Sequence, residues 1–160
     1  MKTLRISSTM ENLAAVEKFV EEICDQHLLS TTYFGTISLA VVEAAKNAIL
    51  HGNKQNPQKE VTISFENKIN GLSFVIEDQG EGFDVETVPN PLEIEETLYP
   101  EAGKGIYLIR SLADKVAYRA EGKRVEMLFD ISSINKETTL NRIQNLQKYF
   151  HKQKTIAKKG

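Results

Sequence analysis

Apolar residues recur at helical intervals in two stretches of the first third of the chain. The first stretch covers roughly residues 9–27, and the second runs up to Gly52, a residue type that often ends helices. Ser8 and Glu11 have the spacing of a capping box, and the hydroxyl residues 30–32 offer an N-cap to the second stretch. The sequence therefore predicts two consecutive helices.

Alternating apolar and polar residues predict strands on both sides of these helices. A short alternating stretch covers residues 3–7, before the first helix. Residues 60–78 form the clearest hairpin, because both arms alternate around an Asn-Gly pair at 70–71. A second hairpin pairs residues 116–120 with residues 125–131.

Regular patterning fails between Gly80 and Gly105, a segment with three prolines and seven acidic residues. A segment of this length inside a compact domain is usually functional or mobile, so we predict a lid. A short helix, roughly Gly105 to Asp114, follows it. Beyond residue 131 we predict a weak amphipathic helix whose apolar face is formed by Leu140, Ile143, Leu146 and Phe150.

The formal net charge of −2 combines an acidic body with a basic tail. Residues 1–137 hold all 22 acidic residues and 14 basic ones, a charge of −8, whereas residues 138–160 hold the other six basic residues. An acidic body argues against direct nucleic-acid binding. The single cysteine excludes an internal disulfide framework. Since no apolar run approaches a membrane span and the N-terminus lacks a signal-peptide core, we expect a cytoplasmic domain without membrane contact.

The second predicted helix carries the first candidate site. Glu43, Asn47 and His51 follow one another at intervals of four residues and so lie along one flank of the helix. They border an apolar stripe formed by Ile37, Val41, Ala44 and Ala48. Core packing needs the stripe but not an ionised Glu beside it. A solvated helix side is nevertheless the simpler explanation of the triplet when it is taken alone.

Asp78 ends the apolar row of the first hairpin. The period of two places it on the same face as Leu72, Phe74 and Ile76. A carboxylate is costly to desolvate without a partner, so either the strand opens to water there or Asp78 accepts a specific hydrogen bond. Capping of the following turn explains an Asp at this position about equally well.

Three short motifs, in order along the chain, each suit one part of a nucleotide. The carboxylate of Asp78 can accept a hydrogen bond from an exocyclic amine such as that of adenine. Glycines at a helix N-terminus leave amide groups for phosphate, and Lys104 adds positive charge. The side-chain oxygen of Asn47 suits magnesium together with phosphate oxygens and water, and Glu43 can orient or deprotonate an attacking group.

Together, in this order and spacing, the motifs resemble those of the GHKL ATPase superfamily. EAAKNAILHG is similar to its N box, DQGEGFD to its first glycine box and EAGKGIYLIRSLAD to its second. The resemblance covers roughly Leu4 to Ile131. It implies a Bergerat-type ATP-binding fold: an α/β two-layer sandwich with helices on one face of a mixed, mostly antiparallel sheet, and ATP held under a lid loop.

Carried over by position, the resemblance implies a role for each motif residue. Asn47 would bind magnesium, Glu43 would be the catalytic general base, and Asp78 would read the adenine amine. The other implied cofactor-binding residues are Gly80 and Gly82 beside the adenine, and Gly103, Lys104 and Gly105 beside the phosphates. His51 is expected to pack at the helix end, and Arg110 to be either a surface residue or a phosphate contact.

The body as a whole closely resembles the anti-sigma-factor serine kinases of bacterial partner-switching systems, including an Asn-Pro-containing lid before GKGIYLIRSLAD. We expect a short, stand-alone protein, without a gyrase-like transducer domain or the H-box histidine of sensor kinases. Members of that family bind a sigma factor, and alternatively bind and phosphorylate a STAS-type anti-anti-sigma protein. The resemblance therefore implies ATP and Mg²⁺ as cofactors, those two partners, and a homodimer.

Three functions stay open on the sequence. The leading one is an ATP- and magnesium-dependent protein serine kinase that sequesters a sigma factor. A non-catalytic, ATP-gated protein-binding module of the same fold would make no phosphoprotein, and a detached sensor-kinase domain would act on histidine. We expect residues 1–131 to form the ATP-binding domain, and residues 132–160 a C-terminal amphipathic helix and basic tail whose role the resemblance does not cover.

Overall fold

Strands and helices form two layers, as the resemblance implied. The computed structural model describes residues 1–84, 101–130 and 143–153, with the backbone alone for residues 101–103. Its strands are β1 (Lys2–Ser7), β2 (Glu60–Lys68), β3 (Gly71–Glu77), β4 (Lys115–Arg119) and β5 (Arg124–Phe129). Its helices are α1 (Leu13–Gln26), α2 (Thr31–Asn47), α3 (Glu101–Leu112) and α4 (residues 143–153). None of these helices is long and apolar enough to cross a membrane.

The strands form one sheet in the order β1-β2-β3-β5-β4. A mixed, mostly antiparallel sheet was expected, but all four pairings among the described strands are antiparallel. Both predicted hairpins are confirmed, and they account for the β2–β3 and β4–β5 pairings. The two hairpins meet where β3 pairs with β5, so the end of β3 lies beside the turn that precedes β5.

The core lies between the sheet and the helices. Phe74 of β3 lies opposite Phe65 of β2 and Met127 of β5, and all three side chains are buried. The helices contribute the apolar residues Val16, Val20, Ile23, Ile37, Val41, Ala44, Ile109 and Leu112. Full burial of a large apolar side chain is worth about 1.5–3 kcal/mol, so the period-two and period-3.6 patterns are what hold the two layers together.

Helix α1 does not begin with the predicted capping box. Met10–Asn12 form a 3-10 turn before it, and the Ser8 hydroxyl donates to the carbonyl of Lys59 at 2.7 Å. Pairing of β1 with β2 brings Ser8 next to the start of β2, and this tertiary contact replaces the local cap. The N-cap of α2 is confirmed, because Ser30 accepts a hydrogen bond from the N–H of Tyr33 at 3.4 Å.

The end of α2 agrees with the sequence prediction, whereas the start of α3 does not. Helix α2 continues into one π-turn, Ala48–Gly52, so the predicted stop at Gly52 is confirmed. Helix α3 begins at Glu101, four residues before the predicted start at Gly105. The sequence does carry a signal for the earlier start, since Pro followed by an acidic residue is common in the first turn of a helix.

The C-terminal helix is confirmed as α4, but its buried face is not the predicted one. Tyr149 is 6% exposed and stacks on Tyr107 of α3, with ring centroids 5.4 Å apart and an interplanar angle of 22°. Leu146 packs against the core as expected. Ile143 and Phe150 are exposed instead, because the aromatic partner on α3 selects the face of α4 that carries Tyr149.

Two further predictions fall outside the described residues. Most of the predicted lid lies in residues 85–100, and Leu140 of the predicted helix face lies in residues 131–142. Both stay predictions.

Candidate functional site

Helices α2 and α3 and the ends of β3 and β5 enclose a cavity of about 280 Å³, which we call the apolar cavity. Its apolar lining includes Ala44, Ala48, Ile76, Phe83, Ile106, Ile109 and Val125. Polar and charged groups come from Asn47, His51, Asp78, Asp84 and Lys123. An apolar slot with a few polar groups is the usual form of a small-molecule site, so the cavity suits a flat base whose amine reaches a carboxylate.

Asp78 lies just past the end of β3 and is half-buried. Its Oδ1 accepts the N–H of Gly80 at 2.8 Å, so it caps the following turn and lines the cavity at the same time. Burial raises the pKa of the Asp78 carboxyl, and the hydrogen bond from Gly80 partly offsets this. An ionised carboxylate has further acceptor sites, so Asp78 can also receive a hydrogen bond from an amine.

Glycines let the helix end approach Asp78 closely. A Cβ at Gly80 would overlap the carbonyl oxygen of Gly52, and a Cβ at Gly52 would overlap the carboxyl group of Asp78. Gly82, with a φ of +83°, lines the apolar cavity, whereas Gly80 is not among its described lining residues. Gly80 therefore allows the end of α2 to pack closely against the turn that Asp78 caps. Gly52 also belongs to the site, although the sequence predicted it only as a helix stop.

Asn53 anchors this corner and was missed by the sequence analysis. Its side chain is 1% exposed, and its Nδ2 donates to the Ser8 hydroxyl at 2.8 Å and to the Glu60 carbonyl at 3.0 Å. Its Oδ1 accepts the N–H of Gln79 at 2.7 Å. Asn53 thus ties the end of α2 to the residue that follows Asp78. The sequence shows only a polar residue after a helix-ending glycine, which does not distinguish a buried amide from an exposed one.

A second cavity of about 180 Å³, which we call the charged cavity, adjoins the first at Asn47. It is lined by Glu43, Lys46, Asn47, His51, Lys104, Gly105, Leu108, Tyr149 and Gln153. Asn47 and His51 line both cavities. His51 is exposed, so the expectation that it packs at the helix end is wrong. The structure therefore brings Glu43, Asn47 and Lys104 together, although Lys104 is 57 positions beyond Asn47.

The helix spacing also brings a second cation to Glu43. The Lys46 ammonium lies 4.0 Å from the Glu43 carboxylate, with side-chain exposures of 35% and 19%. From the helix spacing we expected Lys46 to face away from this flank, which was wrong because residues three apart on a helix are neighbours as well. The charged cavity therefore contains two lysines and one glutamate, a combination that suits an anionic ligand.

The structure gives a reason for glycine at position 105 that differs from the predicted phosphate contact. A Cβ at this position would overlap the side-chain amide of Asn47, so Gly105 allows α3 to cross α2 at that residue. Because α3 begins at Glu101, Gly105 lies one turn inside the helix. Gly103 lies in the first turn, where backbone N–H groups lack intrahelical acceptors. Lys104 extends to the charged cavity.

An open groove of about 600 Å³ adjoins the apolar cavity and shares Tyr118 with it. The Arg110 guanidinium lies 5.8 Å from the centre of the Tyr118 ring, at cation–π distance. Arg110 is exposed and lines this groove rather than the charged cavity, as the surface alternative predicted. The Tyr118 hydroxyl is buried and has no hydrogen-bond partner among the described residues, and burial raises its pKa. The sequence analysis did not single out Tyr118, although the period of two in the second hairpin places it on the same face as Val116.

An apolar cavity with a carboxylate, joined at an asparagine to a charged cavity, has the polarity of a site for a nucleotide. The chain belongs to the family of histidine kinase-like ATPase domains, whose model matches residues 6–129. The GHKL-type recognition and the α/β fold class are thereby confirmed, and membership of an ATPase family implies ATP as the nucleotide.

The chain is also similar to curated proteins named serine-protein kinase RsbW. The protein of Staphylococcus epidermidis is 36% identical over 110 residues, which cover 64% of this chain and 67% of that protein. The protein of Staphylococcus aureus strain Newman is 35% identical over 96 residues, which cover 56% of this chain and 60% of that protein. These names agree with the predicted resemblance to serine kinases, and about a third or more of each relative lies outside the matched stretch.

Proposed function

We propose that this protein is an ATP- and magnesium-dependent protein serine kinase that also acts as an anti-sigma factor. It sequesters a sigma factor in one complex and phosphorylates a STAS-type anti-anti-sigma protein in another. The observation that carries the proposal is the meeting of Glu43, Asn47 and Lys104 at one charged cavity, next to an apolar cavity that holds Asp78. The names of the relatives support serine as the acceptor.

Asp78 and the apolar cavity hold the base. The carboxylate accepts the exocyclic amine, which relieves part of the cost of its burial, and the aliphatic side chains contact the ring faces. The fit is supported by the acceptor sites that the single hydrogen bond from Gly80 leaves on Asp78. The base is thereby fixed at the sheet side of the site, and the phosphates extend towards α2 and α3.

In this proposal Asn47 holds Mg²⁺, a role supported by its position in the lining of both cavities. An amide oxygen together with phosphate oxygens and water is a ligand set that Mg²⁺ accepts. When bound, the ion neutralises phosphate charge, which is the main requirement of phosphoryl transfer. Lys104 and the first turn of α3 add positive potential to the same cavity.

Glu43 is the proposed general base. It lies one helical turn from Asn47 and lines the charged cavity, so a serine hydroxyl that enters this cavity comes between the carboxylate and the phosphates. Proton removal by a positioned base contributes about 10²–10⁴-fold to a rate. Positioning and charge neutralisation supply the remainder.

A matched pair of variants tests the kinase assignment. We expect Glu43→Gln to lower phosphate transfer from ATP to the cognate STAS protein about 10²–10⁴-fold. Adenosine affinity should be retained, since the apolar cavity is untouched. Glu22→Gln, an exposed residue on α1, is the control and should transfer normally. Equal transfer rates in the two variants would refute the assignment. A pull-down from the native extract with Mg-ATP or Mg-ADP identifies the partners.

A second candidate function is an ATP-gated protein-binding module without phosphotransfer. The observation in its favour is that Glu43 already has Lys46 as a neighbour, and that side chains of α4 line the same cavity. This function predicts tight ATP binding and nucleotide-dependent partner affinity with no phosphoprotein. Acid-labile phosphate on the product would instead indicate a kinase that acts on histidine.

The organisation of the protein forms part of the proposal. Residues 1–131 are the ATP-binding domain and residues 132–160 an appended helix and basic tail, a division supported by the end of the family match at residue 129. By family analogy the protein is a cytoplasmic homodimer without direct nucleic-acid contact. Light scattering of the purified protein measures the mass of the assembly, and a monomeric mass at micromolar concentration would contradict the homodimer.

A further inference from the structure

Helix α4 docks on the helical layer, next to the candidate active site. Its contact with α3 is the stacked pair Tyr149 and Tyr107, and Leu146 of the same helix packs against the core. Tyr149 is 6% exposed, whereas its neighbour Phe150 is 47% exposed. One face of α4 is therefore committed to the body of the protein.

The docked face of α4 closes one side of the charged cavity. Tyr149 and Gln153 line this cavity together with Glu43 and Lys104. None of the described lining residues of the apolar cavity comes from α4. Helix α4 thus lies at the phosphate end of the site, where it covers part of the cavity that holds Glu43, and it does not line the base end.

Two further observations set α4 apart from the ATP-binding body. The family match ends at residue 129, before α4 begins, so the body shared with other ATPase domains does not include it. Residues 138–160 carry a charge of +6, and residues 1–137 carry −8. Attraction between the two parts favours docking and weakens with added salt.

We propose that α4 occupies the docking surface of the serine-bearing partner on α2 and α3, and that this partner must displace α4 to reach Glu43. The inference rests on the proposed kinase function. The partner it fits is a protein segment that presents a serine to the charged cavity and an apolar or aromatic side chain to Tyr107. The side chain of such a segment replaces the stacking on Tyr107 that Tyr149 provides when α4 is docked.

The need to displace α4 lowers the apparent affinity of the protein for its partner. Only molecules with α4 undocked can bind, so the apparent affinity for the partner is reduced by the undocked fraction. Docking that leaves about one molecule in ten open reduces the affinity about tenfold. The affinity for adenosine should be unaffected, since α4 does not line the apolar cavity.

The test uses the whole chain and two sets of residues on α4. Leu146→Ala/Tyr149→Ala removes both docking contacts, and Gln147→Ala removes an exposed polar side chain from the same helix. Calorimetric titration of the cognate STAS protein in Mg-ADP should give about tenfold tighter binding for the double variant, and about wild-type binding for Gln147→Ala. Faster amide hydrogen exchange in residues 143–153 of the double variant should accompany the change.

Partner affinity in the double variant equal to that of Gln147→Ala would overturn the proposal. A weaker complex would overturn it as well, because α4 would then form part of the partner's binding surface. Failure of the kinase assignment is distinguishable from either result. If the wild-type protein binds Mg-ATP and the STAS protein but transfers no phosphate, the kinase assignment is refuted. The competition by α4 is still decided by comparing the affinities of the double variant and the control variant for the STAS protein.

Discussion

The two ends of the candidate site are built in different ways. At the base end, Asp78 is fixed by a backbone hydrogen bond, by glycine contacts and by the buried amide of Asn53. At the phosphate end, Glu43, Lys46 and Lys104 project from helices into a cavity that α4 helps to close. A preorganised base end provides nucleotide affinity, whereas the phosphate end can change its side-chain arrangement and its access. Binding and transfer should therefore respond to different mutations.

The largest expected effect on stability is at the base end. Asn53→Ala removes a buried side chain with three hydrogen bonds and leaves the Gln79 N–H unsatisfied, so we expect a loss of about 3 kcal/mol in the free energy of unfolding. ATP affinity should fall as well, since Gln79 directly follows Asp78. Asn56→Ala is the control, because its side chain accepts one bond, from the Gln58 N–H, and should cost less than about 1 kcal/mol. Similar losses in urea unfolding would contradict the anchoring role.

The next effect is at the crossing of α2 and α3. Gly105→Ala forces a methyl group into the Asn47 amide and should cost about 2 kcal/mol by overpacking, with impaired phosphate transfer. Gly35→Ala on α2 meets no atom within 4 Å and should stabilise the protein by about 0.5–1 kcal/mol, because alanine favours helices. Thermal unfolding measures both. Destabilisation by Gly105→Ala together with stabilisation by Gly35→Ala supports the close crossing of α2 and α3. Stabilisation by both variants would refute it.

Asp78→Asn separates nucleotide affinity from stability. Loss of a charge-assisted hydrogen bond should weaken ATP binding about 10–100-fold. Because burial raises the pKa of Asp78, its ionised form opposes folding of the empty protein. Below the ordinary pKa of 3.8 the carboxyl is neutral in the folded and the unfolded protein, and this cost is absent. The variant should therefore gain stability over the wild type as pH rises through the raised pKa. A stability difference independent of pH would contradict the burial of this carboxylate.

The smallest effect concerns the wall shared by the apolar cavity and the adjoining groove. Tyr118→Phe removes a buried hydroxyl for which the described part of the chain offers no partner, and should stabilise the protein by about 1 kcal/mol. Tyr107→Phe, at a half-buried ring on α3, is the control and should change stability by less than about 0.5 kcal/mol. Urea unfolding of both variants measures the difference, and destabilisation by Tyr118→Phe would show that the hydroxyl is satisfied.

Local periodicity explains which parts of the structure could be predicted from the sequence. The stripe of α2 and both hairpins depend on side-chain spacing within one element, and all are confirmed. The capping role of Ser8 and the buried face of α4 were predicted wrongly, because tertiary neighbours decide them. Asn53 was missed for the same reason, since two of its three partners, Ser8 and Gln79, come from distant parts of the chain. The catalytic and ligand roles of Glu43 and Asn47 stay predictions.

The central claim is that one site binds ATP with the base at Asp78 and the phosphates at Asn47. Calorimetric titration with ATP, ADP and adenosine, with and without Mg²⁺, tests it on the wild type, Asp78→Asn and Asn47→Ala. Asp78→Asn should weaken all three ligands to a similar extent. Asn47→Ala should abolish the gain in ATP affinity that Mg²⁺ provides and leave adenosine binding unchanged. Equal weakening of adenosine by both variants, or a magnesium effect that survives in Asn47→Ala, would contradict this orientation of the nucleotide.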